Sequence, residues 1–93
     1  MEAKIEKFIN KLNGKTISLT HEGYLQFTDV ISDFQINIWK ILNEDMIISF
    51  RKGESENDTH FIEMKNIEKI TLSKNTITFR FKNEQLLILE VLD

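Results

Sequence analysis

The 93-residue chain has no cysteine, no proline and only three glycines. Without cysteine there is no thiol nucleophile, no thiolate zinc site, no iron–sulfur ligation and no disulfide staple. The glycines stand at positions 14, 23 and 53. Neither phosphate-cradling pattern, G-x-G-x-x-G nor G-x-x-x-x-G-K-[ST], can be written with them. No apolar run approaches the roughly 20 residues that span a bilayer. The opening Met-Glu-Ala-Lys has no apolar leader stretch, so a cytoplasmic location is expected. There is no excess of basic residues either: 12 Lys and Arg face 15 Asp and Glu, for a net charge of -3. That excludes a strongly basic nucleic-acid-coating protein and leaves room for a local basic patch. With two histidines, five serines and no G-x-S-x-G elbow, nucleophilic catalysis has little to work with.

What is present is the composition of a globular domain, 41% apolar and 29% charged. The length fits one core, so residues 1–93 read as a single small α+β domain. The bias to 14 Ile, 10 Lys and 8 Asn, against one Ala and two Val, follows AT-rich codons. It suggests a low-GC bacterial or phage gene.

Residues 2–12 predict an amphipathic helix, with Ile5, Phe8, Ile9 and Leu12 at i, i+3, i+4 and i+7. Asn13-Gly14 offers its left-handed C-terminal cap. Short β runs follow at 16–20, 24–31, 34–42, 46–50, 59–64, 67–73, 76–82 and 85–92. Between the first two, His21-Glu22-Gly23 reads as a turn. The polar stretch 51–58 reads as a loop, and Lys74-Asn75 as a tight turn. The last run is apolar on both faces, with Leu86 and Ile88 against Leu87, Leu89 and Val91. It should be a central strand, lie under the helix or pair with another copy, which makes a homodimer one expectation. One helix and seven to eight strands predict an antiparallel meander, curled into a small barrel or two packed sheets.

No metal or other cofactor is expected. Glu54, Glu56, Asp58 and His60 recur at every second residue, so an extended strand would project them to one side. They lack the glycine and the terminal glutamate of a calcium loop, and a solvated hairpin tip explains them as well. His21 and His60 read as exposed polar residues.

Two surfaces could carry a function. Trp39 alternates against Phe34, Ile36 and Ile38, and Tyr24 shares a predicted strand face with Gln26 and Thr28. If those faces are exposed, both aromatics are interface anchors; if covered, they are core. The acids gather at predicted turns, with Glu54, Glu56 and Asp58 the densest group. Together these features suggest a non-enzymatic protein-binding module: a small acidic inhibitor or adaptor. Its partner could be a basic nucleic-acid enzyme, as for anti-CRISPR or toxin-immunity proteins. The alternative is a nucleic-acid-binding barrel of Sm-like or OB-like type. There, Lys69, Arg80 and Lys82 would share the outer face of a hairpin, with Phe79 and Phe81 pointing away into the core.

The run Gly14-Lys15-Thr16-Ile17-Ser18-Leu19, with Gly23 and Leu25-Gln26-Phe27-Thr28-Asp29, resembles part of the first Sm motif. That family's second motif, an Ile-Arg-Gly, has no counterpart between Thr71 and Asn75. The resemblance covers the first third of the chain and assigns no binding residue.

Overall fold

The computed structural model describes residues 2–40, 46–51 and 58–93. The amphipathic segment forms helix α1 (Ala3–Lys11), which buries Ile5 and Ile9. Eight strands follow: β1 (Ile17–Glu22), β2 (Phe27–Ile31), β3 (Gln35–Lys40), β4 (Met46–Arg51), β5 (Thr59–Glu63), β6 (Ile67–Leu72), β7 (Thr76–Phe81) and β8 (Leu86–Val91). They build a five-stranded sheet in the order β2-β1-β8-β7-β6 and a three-stranded sheet in the order β3-β4-β5. Every pairing is antiparallel.

The expected alternation appears as two faces per sheet. Ile17, Leu19, Ile77, Phe79, Leu87 and Leu89 point inward from the large sheet, and Ile36, Ile48 and Ile62 from the small one. With Ile5, Ile9, Leu12 and Phe34 they form one buried cluster. Burying a side chain of this size stabilises by about 1.5–3 kcal/mol. Strand β8 is central, between β1 and β7. Its other face, Leu86 and Ile88, is half-buried among neighbours on the same sheet surface: Glu22, Thr20, Thr78 and Arg80.

The two sheets do not close into a barrel. At the first corner Asp33 takes a left-handed φ of 51°. Phe34 is then bound away from β2: its N–H donates to the Lys15 carbonyl (2.9 Å), and its carbonyl accepts from the Gly14 N–H (2.8 Å). At the second corner a 3-10 turn, Met64–Asn66, separates β5 from β6. Each corner breaks the ladder, so the packed-sheet expectation holds and the barrel does not.

Gly14 has φ 80°, the left-handed cap its position predicts. Asn13 completes the attachment, its Oδ1 accepting from the Ile36 N–H at 2.7 Å. At the other end of the helix, Glu6 pairs with Lys40 at 3.5 Å. Helix α1 therefore runs antiparallel to β3, with Glu6 at the end of that strand and Gly14 at its start.

Two segments depart from the expected boundaries. Strand β1 continues through His21 and Glu22, which were expected in a turn. Strand β2 begins only at Phe27, and Tyr24 lies in the preceding loop rather than on a strand face. The cause is local. The His21 ring holds the Leu25 carbonyl, so the chain turns at residues 23–26 instead of pairing there. No described helix is long and apolar enough to cross a membrane.

Candidate functional site

Strand β1 has two ends with different surroundings. Ile17 lies beside the helix attachment and is fully buried. His21, four residues on, opens on a cleft of about 330 Å³ between the sheets. Alternation places His21 on the same face as Ile17 and Leu19, so the imidazole points to the interior side of the sheet. The cleft is lined from both sheets and from the turn between β7 and β8. Four of the seven phenylalanines meet there, Phe27, Phe50, Phe61 and Phe81, together with both histidines.

The two imidazoles sit on phenyl rings on opposite sides. His21 stacks on Phe27 at 5.3 Å and His60 on Phe50 at 5.4 Å, measured between ring centroids. His21 is fixed at both nitrogens. Nδ1 lies 3.0 Å from the Leu25 carbonyl oxygen, and Nε2 lies 2.8 Å from Gln85 Oε1. A carbonyl only accepts, so Nδ1 carries a proton. Nε2 donates to Oε1 in the imidazolium form; in the neutral ring it accepts from a Gln85 amide turned the other way. Either way the ring ties the loop after β1 to the start of β8. His60 is exposed on edge strand β5 and has no hydrogen-bond partner among the described residues.

The far wall is set by a strained turn. Glu84 has φ 70°, unusual for a residue with a side chain, and it stands between the cleft residues Asn83 and Gln85. Asn83 Oδ1 accepts from the Gln85 N–H at 3.2 Å. Gly23 comes close on the loop side: a Cβ there would lie 2.8 Å from Gln85 Cγ. These contacts support the large-sheet bank of the cleft.

Phe61 lines the cleft and is 67% exposed; Tyr24 (99%) and Leu25 (73%) are exposed on the loop after β1. No aspartate, glutamate, lysine or arginine lines the cleft among the described residues.

Phe61 also belongs to a second surface. The small sheet's outer face carries Trp39, Ser49, Arg51, Thr59 and Phe61 along a shallow polar groove. Trp39 is 54% exposed, and its indole N–H donates to Ser49 Oγ at 2.7 Å. Trp39 is therefore on the outer face and not in the core. Phe61 lines both this groove and the cleft.

Asp58 is exposed just before β5. Glu54 and Glu56 lie outside the described residues. Among the described residues no three His, Asp or Glu side chains gather as a metal site requires.

The expected basic hairpin forms, with Lys69 directly opposite Arg80. Lys82 follows β7, its N–H donating to the Asn66 carbonyl at 3.0 Å. Phe79 is fully buried and Phe81 half-buried, both on the inner side. The same outer sheet face carries Glu22 and Glu90, opposite Leu86 and Thr76. Lys69 and Arg80 are matched there by equal opposite charge.

Sequence reasoning missed the two histidines as a pair, and Phe61 as an exposed aromatic. The second had a signal: Phe61-Ile62 are adjacent on a strand, so both cannot face the core. No protein-family model matches the chain, and no curated protein and no solved structure matches it.

Proposed function

We propose that this chain is a non-enzymatic protein-binding module, an inhibitor or adaptor, whose contact surface is centred on the mouth between its two sheets. The supporting observation is exposed Phe61 lining a cleft that has no Asp, Glu, Lys or Arg among its described residues, with Tyr24 and Leu25 exposed on the loop whose Leu25 carbonyl is held by the cleft residue His21. Aromatic side chains held exposed beside a pocket have the anatomy of interface hot spots. Trp39 extends the surface beyond Phe61, and Asp29 and Asp58 add negative charge beside His60. The net charge of -3 favours a basic partner such as a nucleic-acid enzyme. Phage anti-defence and toxin-immunity inhibitors are roles of this kind.

The test is affinity capture from a low-GC bacterial lysate treated with nuclease, with wild-type bait beside a Leu25→Ser, Phe61→Ser double variant. The reading expects a protein retained by wild type and lost from the folded variant. Identical capture by both baits would overturn it.

The nucleic-acid alternative draws on the cross-strand pair Lys69 and Arg80. It expects RNA or DNA binding that falls steeply with salt, because phosphate contacts release counterions. Glu22 and Glu90 on the same face weigh against it.

A further inference from the structure

We propose that Asn13-Gly14 is a site of spontaneous deamidation, and that the docking of helix α1 against the start of β3 sets its rate. The site is independent of the protein-binding reading.

An asparagine loses its amide when the backbone nitrogen of the next residue attacks its Cγ. A C–N bond forms, ammonia leaves, and a five-membered succinimide results. Water then opens the ring at either carbonyl and leaves aspartate or isoaspartate at that position. Water is the only co-reactant. The next residue decides how easily its nitrogen reaches Cγ, and glycine, with no Cβ, obstructs the approach least. Asn13 is the only one of the eight asparagines followed by glycine. Its side chain belongs to an exposed residue, so water has access to it.

The groups that must move are those that attach the helix. Asn13 Oδ1 accepts from the Ile36 N–H at 2.7 Å. Asn13 Nδ2 donates to the Asn10 carbonyl at 3.5 Å. The Gly14 N–H, whose proton must leave before the nitrogen can attack, donates to the Phe34 carbonyl at 2.8 Å. That bond shields the proton from hydroxide and fixes the peptide plane, with Gly14 held at φ 80°. Swinging the carboxamide onto the Gly14 nitrogen breaks the contacts to both Ile36 and Phe34. The reaction therefore waits for the end of the helix to lift from β3. Folded chains open locally in this way at a lower free energy than global unfolding.

The products do not redock equally. Aspartate keeps an oxygen for the Ile36 N–H and loses the donor to Asn10. Isoaspartate adds one carbon to the main chain between residues 13 and 14 and turns the former carboxamide carbonyl into a backbone carbonyl. The bonds to Ile36 and Phe34 then no longer fit together. Docking protects the asparagine, and isoaspartate weakens the docking, so the change runs one way.

The test follows residue 13 of the full chain by peptide mapping and mass spectrometry, resolving asparagine, aspartate and isoaspartate. In denaturing urea Asn13 should convert faster than the other seven asparagines, and Gly14→Ala should slow it about tenfold, because a Cβ now hinders the nitrogen. In buffer the wild-type rate should fall about tenfold or more below the rate in urea, which needs an opening free energy of only about 1.4 kcal/mol. Phe34→Ala, which loosens the helix side, should bring the rate in buffer toward the rate in urea. A second measurement needs no variant: as urea rises below the unfolding transition, conversion of Asn13 and hydrogen exchange of the Ile36 amide should rise in proportion. The purified isoaspartate form should unfold at lower urea and exchange the Ile36 amide faster. Equal wild-type rates in buffer and urea would overturn control by docking, as would conversion that does not follow Ile36 exchange. Faster conversion of another asparagine in urea would overturn the site. An isoaspartate form with wild-type stability and Ile36 exchange would overturn the one-way release of the helix.

Discussion

The helix side and the mouth of the sandwich use the same residue type in opposite ways. On the helix side, Phe34 is fully buried, and its backbone is tied by hydrogen bonds to Gly14 and Lys15. At the mouth, Phe61 is two-thirds exposed on an edge strand. One ring contributes to the fold, and the other remains available to something outside it. Both sides are nonetheless ordered by specific contacts: Asn13 and Gly14 on one, His21, Gln85 and Glu84 on the other. The mouth is therefore not a part of the core left unfinished. It is held in shape without being filled.

The sharpest test of that contrast is Phe34→Ala. Removing this ring leaves a cavity where helix, β3 and β1 meet, and should cost about 3–5 kcal/mol. Urea denaturation measures it, and the helical circular dichroism signal should weaken first if the helix detaches. A loss below about 1 kcal/mol, the range of an ordinary surface change, would mean that the helix side does not carry the fold.

Much of this architecture was legible in the sequence, because periodicity reports on faces. Ile5, Ile9 and Leu12 marked the helix stripe, and Ile77 and Phe79 marked an inner strand face. The two-faced run at Leu86–Val91 announced a central strand. Barrel closure was not legible. It depended on two corners of a few residues each, where Asp33 takes a left-handed φ and Met64–Asn66 forms a 3-10 turn. Periodicity carries no signal for either. The site was harder still, because its walls come from β1, β2, β4, β5, β7 and β8 and converge only in three dimensions. His21 was misread for a specific reason. A histidine before Glu-Gly looks like turn chemistry, and its side-chain bond to the Leu25 carbonyl lies beyond any local pattern.

Gly14→Ala probes the same helix side through the backbone alone. The space is open, since the nearest neighbour to a new Cβ would be Asp33 Oδ1 at 3.9 Å. The cost comes from φ 80°, and a left-handed alanine should lose about 1–2 kcal/mol. Thermal or urea unfolding checks it. The mouth should respond more mildly to the matching change, Gly23→Ala. There the new Cβ meets the flexible Gln85 side chain at 2.8 Å, so Gln85 moves and its bond to His21 is lost. One net hydrogen bond is worth about 0.5–1.5 kcal/mol. The reporter is the His21 imidazole signal, which should shift while those of Phe34 and Ile36 stay in place. If the core signals move as well, the two sides are coupled and the contrast drawn here is too simple.

The smallest stability effect belongs to the residue with the largest proposed role. Phe61 is paired opposite Ser49 on the small sheet and is mostly in water. Truncating such a side chain should change stability by no more than about 0.5 kcal/mol in either direction. If Phe61→Ala instead costs as much as a buried phenylalanine, its ring supports the sheet edge, and its exposure is no evidence for a partner. If stability is unchanged while partner capture is lost, the ring has been kept at the surface for contact.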